Sequence, residues 1–310
     1  MNTQQNPATV RVPAHLARTV RQLYGQAGEV WLEALPDLVA RLAKRWGIVV
    51  EPPFAGLSYN YVAPAVTASG EPAVLKAGVP NPELSAEIAA LQHYAGRGAV
   101  RLLAADAEAG ALLLERLLPG AMLVEEPDDD EATAIAAQVM AELWQPLPAG
   151  HRFPTIVDWA RGLERLRPTF GGGTGPFPER IVALAEGLFV ELLASEQEPV
   201  LLHGDLHHYN ILRATRAPWL AIDPKGLAGE RGFEVYAWLK NPLPAGPRGD
   251  LRRLLPRRLE IFAERLGLER RRLAAWGLAG LVLSGWWSYE ERGSGWEPVL
   301  ALAEALAAHL

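Results

Sequence analysis

The sequence predicts an α+β protein in two parts: an antiparallel-sheet N-terminal lobe with one prominent helix, then a mostly helical C-terminal lobe. Three observations support this. Between residues 48 and 115, short runs rich in β-branched and aromatic residues alternate with Gly and Pro. One helical pattern, at 81–98, interrupts those runs. Beyond Pro119 nearly every long segment carries apolar residues at helical spacing.

Taken in order, residues 14–46 place Leu32, Leu35, Leu38, Val39, Leu42 and Trp46 on one helical face, with Pro36 read as a helix start and Gly47 just past the end. IVVEPPF, SYNYVAPAVTA and PAVLKAG then read as antiparallel strands and turns. In NPELSAEIAALQHYAGRG, Asn81 can cap, Pro82 suits the first turn, Glu83 complements the helix dipole, and Gly96 and Gly98 end the helix. VRLLAADAEAGALLLERL reads as two strands joined by a turn at 108–110. Helices are expected at 129–145, 155–167, 178–195, 233–239, 250–266, 268–289 and 297–309. Two apolar runs, PVLLHGD and WLAID, are expected to pair as a small hairpin of buried strands. These elements set the expected lobes at 1–114 and 121–310, with a hinge at 115–120.

With 310 residues, 49% of them hydrophobic, the chain can fill such cores, which excludes a disordered tail protein. A net charge of −6 argues against a nucleic-acid partner and fits a cationic small molecule better. The absence of Cys removes disulfides and thiolate metal sites. MNTQQNPATVRVP lacks the apolar run of a signal peptide, and LAAWGLAGLVLSGWWSY at 273–289 falls short of the roughly 20 residues a membrane span needs. It reads as a buried helix, and the chain as cytoplasmic with no membrane partner.

The chemistry concentrates in LLHGDLHHYN, residues 201–210. Asp205 and Asn210 stand five residues apart beside an apolar strand, and Asp223 follows after WLAI. Hard oxygen donors of this kind suit Mg2+, which takes one or two protein groups while phosphates and waters complete its shell. Asp205 is then the base, with Asn210 and Asp223 as the metal ligands. His203 and His207 stand four apart, but HGDLH lacks the Glu and the third ligand of zinc hydrolase motifs, and His208 does not supply that pattern. Neither HEXXH nor GxSxG occurs.

HGDLHHYN with IDPKG resembles the catalytic loop and metal-binding Asp of the aminoglycoside phosphotransferase group within the protein-kinase-like fold. YVAPAV, AVLKAGVPNPE, GRGAVRLLAADAEAGALLLERLLPG, LHGDLHHYNIL and AIDPKGLAGERGFE are similar, in order, to blocks of its streptomycin 6-phosphotransferase and hydroxyurea phosphotransferase branch. The resemblance runs from about residue 30 to the end. It implies a bilobal protein-kinase-like fold, ATP and Mg2+ as cofactors, and transfer of the γ-phosphoryl to a hydroxyl of a cationic small molecule, foremost a streptomycin-like aminoglycoside at O6. Hydroxyurea is the runner-up acceptor, a sugar or amino alcohol the next. A catalytically silent nucleotide-binding protein is the alternative from another class, disfavoured because Lys76, Asp205, Asn210 and Asp223 are all present.

The same resemblance implies roles for individual residues. Lys76 would meet the α- and β-phosphates, oriented by Glu87 or by Glu83 one turn earlier; helical spacing does not separate the two. FAGLSYNYVAP would cover the phosphates with Ser58 and the backbone of 58–60, although GxGxxG is missing. LLLERLLPG would hold adenine through main-chain atoms of Glu115 and Leu117. Lys225 could add charge near the γ-phosphate. Only nine residues separate Asp223 from Phe233, too few for the activation segment with which protein kinases dock peptides. The acceptor is therefore expected among the helices, at Trp287 and Glu290, with Asp158 and Glu230 as further candidates.

Overall fold

The structure is a computed structural model describing residues 10–195, 197–243 and 248–310. The leading residues 1–9, part of the stretch read as lacking a signal peptide, lie outside the described residues. The chain divides into two compact units, Met1–Gly96 with Val100–Leu117, and Arg97–Ala99 with Leu118–Leu310.

The first unit opens with α1 (Ala14–Trp46), broken at Gly25, whose φ of 53° and ψ of −126° leave the helical region. The chain doubles back there: a Cβ on Gly28 would lie 2.5 Å from the carbonyl oxygen of Val20, so the approach requires glycine. Pro36 is inside the helix, correcting the expected start; the break lies eleven residues earlier, at the one position with a positive φ. Gly47, at φ 62°, closes α1 as expected and donates its N–H to Ala43 O. Strands β1 (Ile48–Val50), β2 (Tyr61–Thr67), β3 (Pro72–Ala77), β4 (Leu102–Asp106) and β5 (Ala111–Glu115) form an antiparallel sheet in the order β1-β2-β3-β5-β4. Leu16, Val20, Leu35, Val39 and Leu42 of α1 share one core with Tyr61, Ala63, Leu75 and Ala77 of the sheet. At roughly 1.5–3 kcal/mol per fully buried large side chain, this face holds α1 to the sheet. Helix α2 (Pro82–Tyr94) starts as the sequence predicts, with Asn81 Oδ1 accepting the Leu84 N–H at 2.9 Å; its left-handed cap is Ala95 (φ 49°), ahead of the two glycines.

The second unit is mostly helical: α3 (Asp129–Leu143), α4 (Ile156–Ala160), α5 (Leu166–Thr169), α6 (Glu179–Ala194), α7 (Val235–Leu239), α8 (Leu255–Leu266), α9 (Arg270–Arg292) and α10 (Glu297–Leu306). The helix expected at 155–167 is interrupted at Gly162, where a Cβ would lie 2.9 Å from the Trp287 indole Nε1. Helix α9 is the axis of the unit, buried on every side from Leu273 to Trp286 and packed by α6, α7, α8 and α10. That explains its apolar composition. No helix among the described residues is long and apolar enough to cross a membrane.

Among the described residues, six short strands complete the unit: β6 (Pro119–Met122), β7 (Gln145–Pro146), β8 (Val200–Leu202), β9 (Ile211–Ala214), β10 (Trp219–Ala221) and β11 (Leu227–Gly229). They overturn the expected hairpin of PVLLHGD with WLAID. Strand β8 pairs with β7 and β11, whereas β10 pairs with β9. The reason is local. ILRA lies one four-residue turn from WLA, so closing that hairpin costs the least chain entropy and leaves β8 for LAG.

Candidate active site

Within the first unit, Lys76 sits on β3, across from Val62 and Leu112, with its side chain buried. Its ammonium reaches both oxygens of Glu87 on α2, at 2.7 and 2.8 Å. Glu87 is buried as well, while Glu83 is exposed. The two glutamates that sequence spacing leaves equivalent are thus separated by packing. Ser58 is exposed in the loop between β1 and β2, where Gly56 takes φ 73°. At the end of β5 the Glu115 N–H donates to Arg101 O (3.0 Å), and the Glu115 carboxylate accepts the Arg101 N–H (2.9 Å). Leu117 is buried.

Within the second unit the loop after β8 is held by main-chain bonds from several directions. Gly204 takes φ 82°, and a Cβ there would lie 3.2 Å from Trp159 and from Lys225 Cβ. The backbone N–H of Asp205 donates to His203 Nδ1 (3.2 Å), whose Nε2 meets Ile222 O at 2.8 Å. That pattern requires neutral imidazole protonated on Nε2, and burial holds His203 down to about 4. Asn210 donates its side-chain N–H to Asp205 O at 3.0 Å, leaving its amide oxygen directed away from that bond. Pairing of Ile211 with Ala221 and donation from Ile222 N–H to Asn210 O (2.9 Å) set Asn210 opposite Ile222, the residue directly before Asp223. Asp223 itself adopts φ 59°, a conformation non-glycine residues rarely take outside constrained sites.

One carboxylate and one amide oxygen, both hard donors, fit Mg2+ sharing its shell with phosphate oxygens. The three histidines diverge. His203 turns to Ile222 O; His208 is buried against Trp238 with ring centroids 3.6 Å apart; His207 Nε2 lies 3.7 Å from Asp205 Oδ2, beyond a hydrogen bond. Burial lowers the pKa of all three. Among the described residues no three His, Cys, Asp or Glu are grouped to hold a metal ion.

Two residues that sequence reasoning missed fix this loop. Glu234, fully buried, accepts the N–H of His203 at 2.7 Å and of Gly204 at 2.9 Å, and burial raises its pKa to about 7. Tyr236 donates its hydroxyl to Gly204 O at 2.8 Å. The ERGFE segment offered two glutamates four residues apart, and the sequence reading took Glu230. Glu230 is instead a buried structural residue. Both its oxygens bind the Arg272 guanidinium (Oε2 at 2.6 Å) and Oε1 accepts from Trp276 Nε1 at 3.0 Å, so it is not presented to an acceptor. Glu290 is paired with Arg165 at 2.7 and 2.8 Å, and Asp158 with Thr155 and Arg161. Trp287 does lie near the loop: it meets Trp159 edge to face (5.3 Å), and Trp159 abuts Gly204.

The family described as aminoglycoside/hydroxyurea antibiotic resistance kinase matches residues 45–292. The chain is similar to a streptomycin 6-kinase of Streptomyces glaucescens, 34% identical over 97% of this chain and 98% of the relative. A hydroxyurea phosphotransferase of Kitasatospora aureofaciens is 37% identical over 92% of this chain and 82% of the relative. Among solved structures, an aminoglycoside phosphotransferase of Streptomyces rimosus in complex with ADP and streptomycin shares the fold, with a TM-score of 0.53, 19% identity, and coverage of 79% of this chain and 96% of that one.

Proposed function

The chain belongs to the aminoglycoside/hydroxyurea antibiotic resistance kinase family, and from that membership we propose that it transfers the γ-phosphoryl of ATP to a hydroxyl of a streptomycin-like aminoglycoside, at O6. The observation that carries this reading is the loop geometry: Asp205 fixed through its backbone to His203 and Asn210, with Asn210 bonded across the β9–β10 hairpin to Ile222, directly before Asp223.

In phosphoryl transfer the protein mainly positions reactants and offsets charge, since the loose transition state spreads charge over the equatorial oxygens. Asp205 accepts a hydrogen bond from the acceptor hydroxyl and takes its proton as the new O–P bond forms and the bond to ADP breaks. Asn210 and Asp223 hold Mg2+, which when bound neutralises charge on the phosphate oxygens. Lys76, oriented by its bidentate pair with Glu87, meets the non-transferred phosphates. Ser58 contributes to covering the phosphates, Glu115 and Leu117 contribute main-chain atoms for adenine, and Lys225 adds positive charge near the γ-phosphate. Trp287 with Trp159 supplies an aromatic wall suited to a guanidinium or ammonium. Glu290 and Asp158, both ion-paired at exposed positions, can add negative charge around that wall.

The test is ADP release with Mg-ATP against streptomycin, other aminoglycosides, hydroxyurea and simple sugars. Streptomycin turnover with a product phosphorylated at O6 is expected. Asp205→Ala should lose at least about 10²-fold in kcat, at the lower end of a general-base contribution, while nucleotide binding persists. Near-normal turnover in that variant refutes the base assignment, and exclusive use of hydroxyurea moves the acceptor to that branch of the family.

A further inference from the structure

Lys240, just past α7, is half-buried, and its Nζ donates to Ser284 Oγ at 2.8 Å. It lies over the Tyr236 ring, 5.3 Å from the centroid. The Tyr236 hydroxyl bonds to Gly204 O, directly before Asp205. One side chain therefore links this ammonium to the backbone of the proposed base. Burial lowers the Lys240 pKa; the Asp205 and Glu291 carboxylates oppose that shift, and Lys225 and Arg292 reinforce it. Among the described residues no carboxylate stands within ion-pair distance of Lys240.

An ammonium carries three N–H donors, and Ser284 takes one. A second side of it faces the Tyr236 ring, and the rest of the half-buried group is accessible to an oxygen partner. Ser284 is on α9 one turn before Trp287, so the ammonium stands on the side of the aromatic wall, near enough to the catalytic loop to act on His207. We propose that Lys240 is a specificity-determining residue: it donates to a neutral or anionic oxygen of the acceptor beside the reacting hydroxyl. The acceptor must then present an oxygen there, and an ammonium or guanidinium at that position is rejected. This rests on the reading of Asp205 as the base.

The experiment is steady-state kinetics with streptomycin and Mg-ATP for the wild type and for Lys240→Met, Lys240→Glu and Lys240→Arg. Loss of one charge-assisted hydrogen bond should raise the KM for streptomycin about tenfold in Met and Glu, with Arg within about threefold of wild type. The kcat and the KM for Mg-ATP should stay within about twofold. A site in which Lys240 only repels a polycation predicts the reverse, a KM that falls in Met and falls further in Glu; that result, or an unchanged KM, overturns the proposal. A loss confined to kcat or to the KM for Mg-ATP also overturns it, because the ammonium would then serve the phosphoryl group. Should the Met variant fail to fold by thermal melt, Lys240→Gln gives the same readout. The two readings fail separately: an active Asp205→Ala removes the base assignment, whereas an inert Lys240→Met beside an inactive Asp205→Ala removes only this one.

Discussion

Replacing Glu234 with Gln separates positioning from stability. In the wild type the buried carboxylate accepts two N–H groups, from His203 and Gly204, and holds the turn that presents Asp205. Glutamine has one acceptor oxygen, so one of those N–H groups faces an NH2 donor, at a cost of about 1–3 kcal/mol. The charge, however, is itself unfavourable there. Burial raises the Glu234 pKa from 4.5 to about 7, so keeping the group ionised at pH 8 costs about 3 kcal/mol relative to the unfolded chain. The two effects nearly cancel, and Glu234→Gln should unfold at pH 8 within about 2 kcal/mol of the wild type, in either direction.

Its kcat should still fall about 10- to 100-fold, because a displaced Gly204 carries Asp205 with it. The pH dependence gives the second readout. A carboxyl whose folded pKa is raised contributes stability that is fully present below its unfolded value and lost as pH rises through about 7. Between pH 5.5 and pH 8 the wild type should therefore lose about 2 kcal/mol that Glu234→Gln does not lose. Urea unfolding of both proteins at the two pH values, with kcat measured at pH 8, tests this. Parallel stability profiles within about 0.5 kcal/mol, or an unchanged kcat, would refute the reasoning, since the first requires an ordinary carboxyl and the second a loop independent of Glu234.

Two further predictions concern the same framework. Lys76→Met breaks a buried pair bonded through both carboxylate oxygens, and should cost about 3–5 kcal/mol in denaturant unfolding; adding Glu87→Leu should recover part of that stability without restoring nucleotide affinity, and a single variant as stable as wild type would contradict it. Gly204→Ala forces a Cβ at φ 82° to 3.2 Å from Trp159 and Lys225, so about 1–3 kcal/mol of strain and at least about tenfold loss of kcat are expected; wild-type kinetics would show that the turn is not under this constraint.

Sequence alone determined the features written in local chemistry. The Asn81 cap, the Gly47 stop, the alternation of strands and turns before residue 115, and the five-residue interval from Asp205 to Asn210 each depend on neighbours close in the chain, so spacing and residue type express them. Tertiary structure decided whatever required knowing which distant group arrives. Glu83 and Glu87 share a helical face, and only the packing of α2 shows that Glu87 meets Lys76. Glu230 and Glu234 are both buried, yet Arg272, 42 residues downstream, claims the first, while backbone N–H groups about 30 residues upstream claim the second. Strand partners followed the same rule: PVLL and WLA are equally apolar, and which strand each met depended on closing the shorter loop first. A carboxylate's type can be read from the chain, but its role is set by the partner that folding delivers.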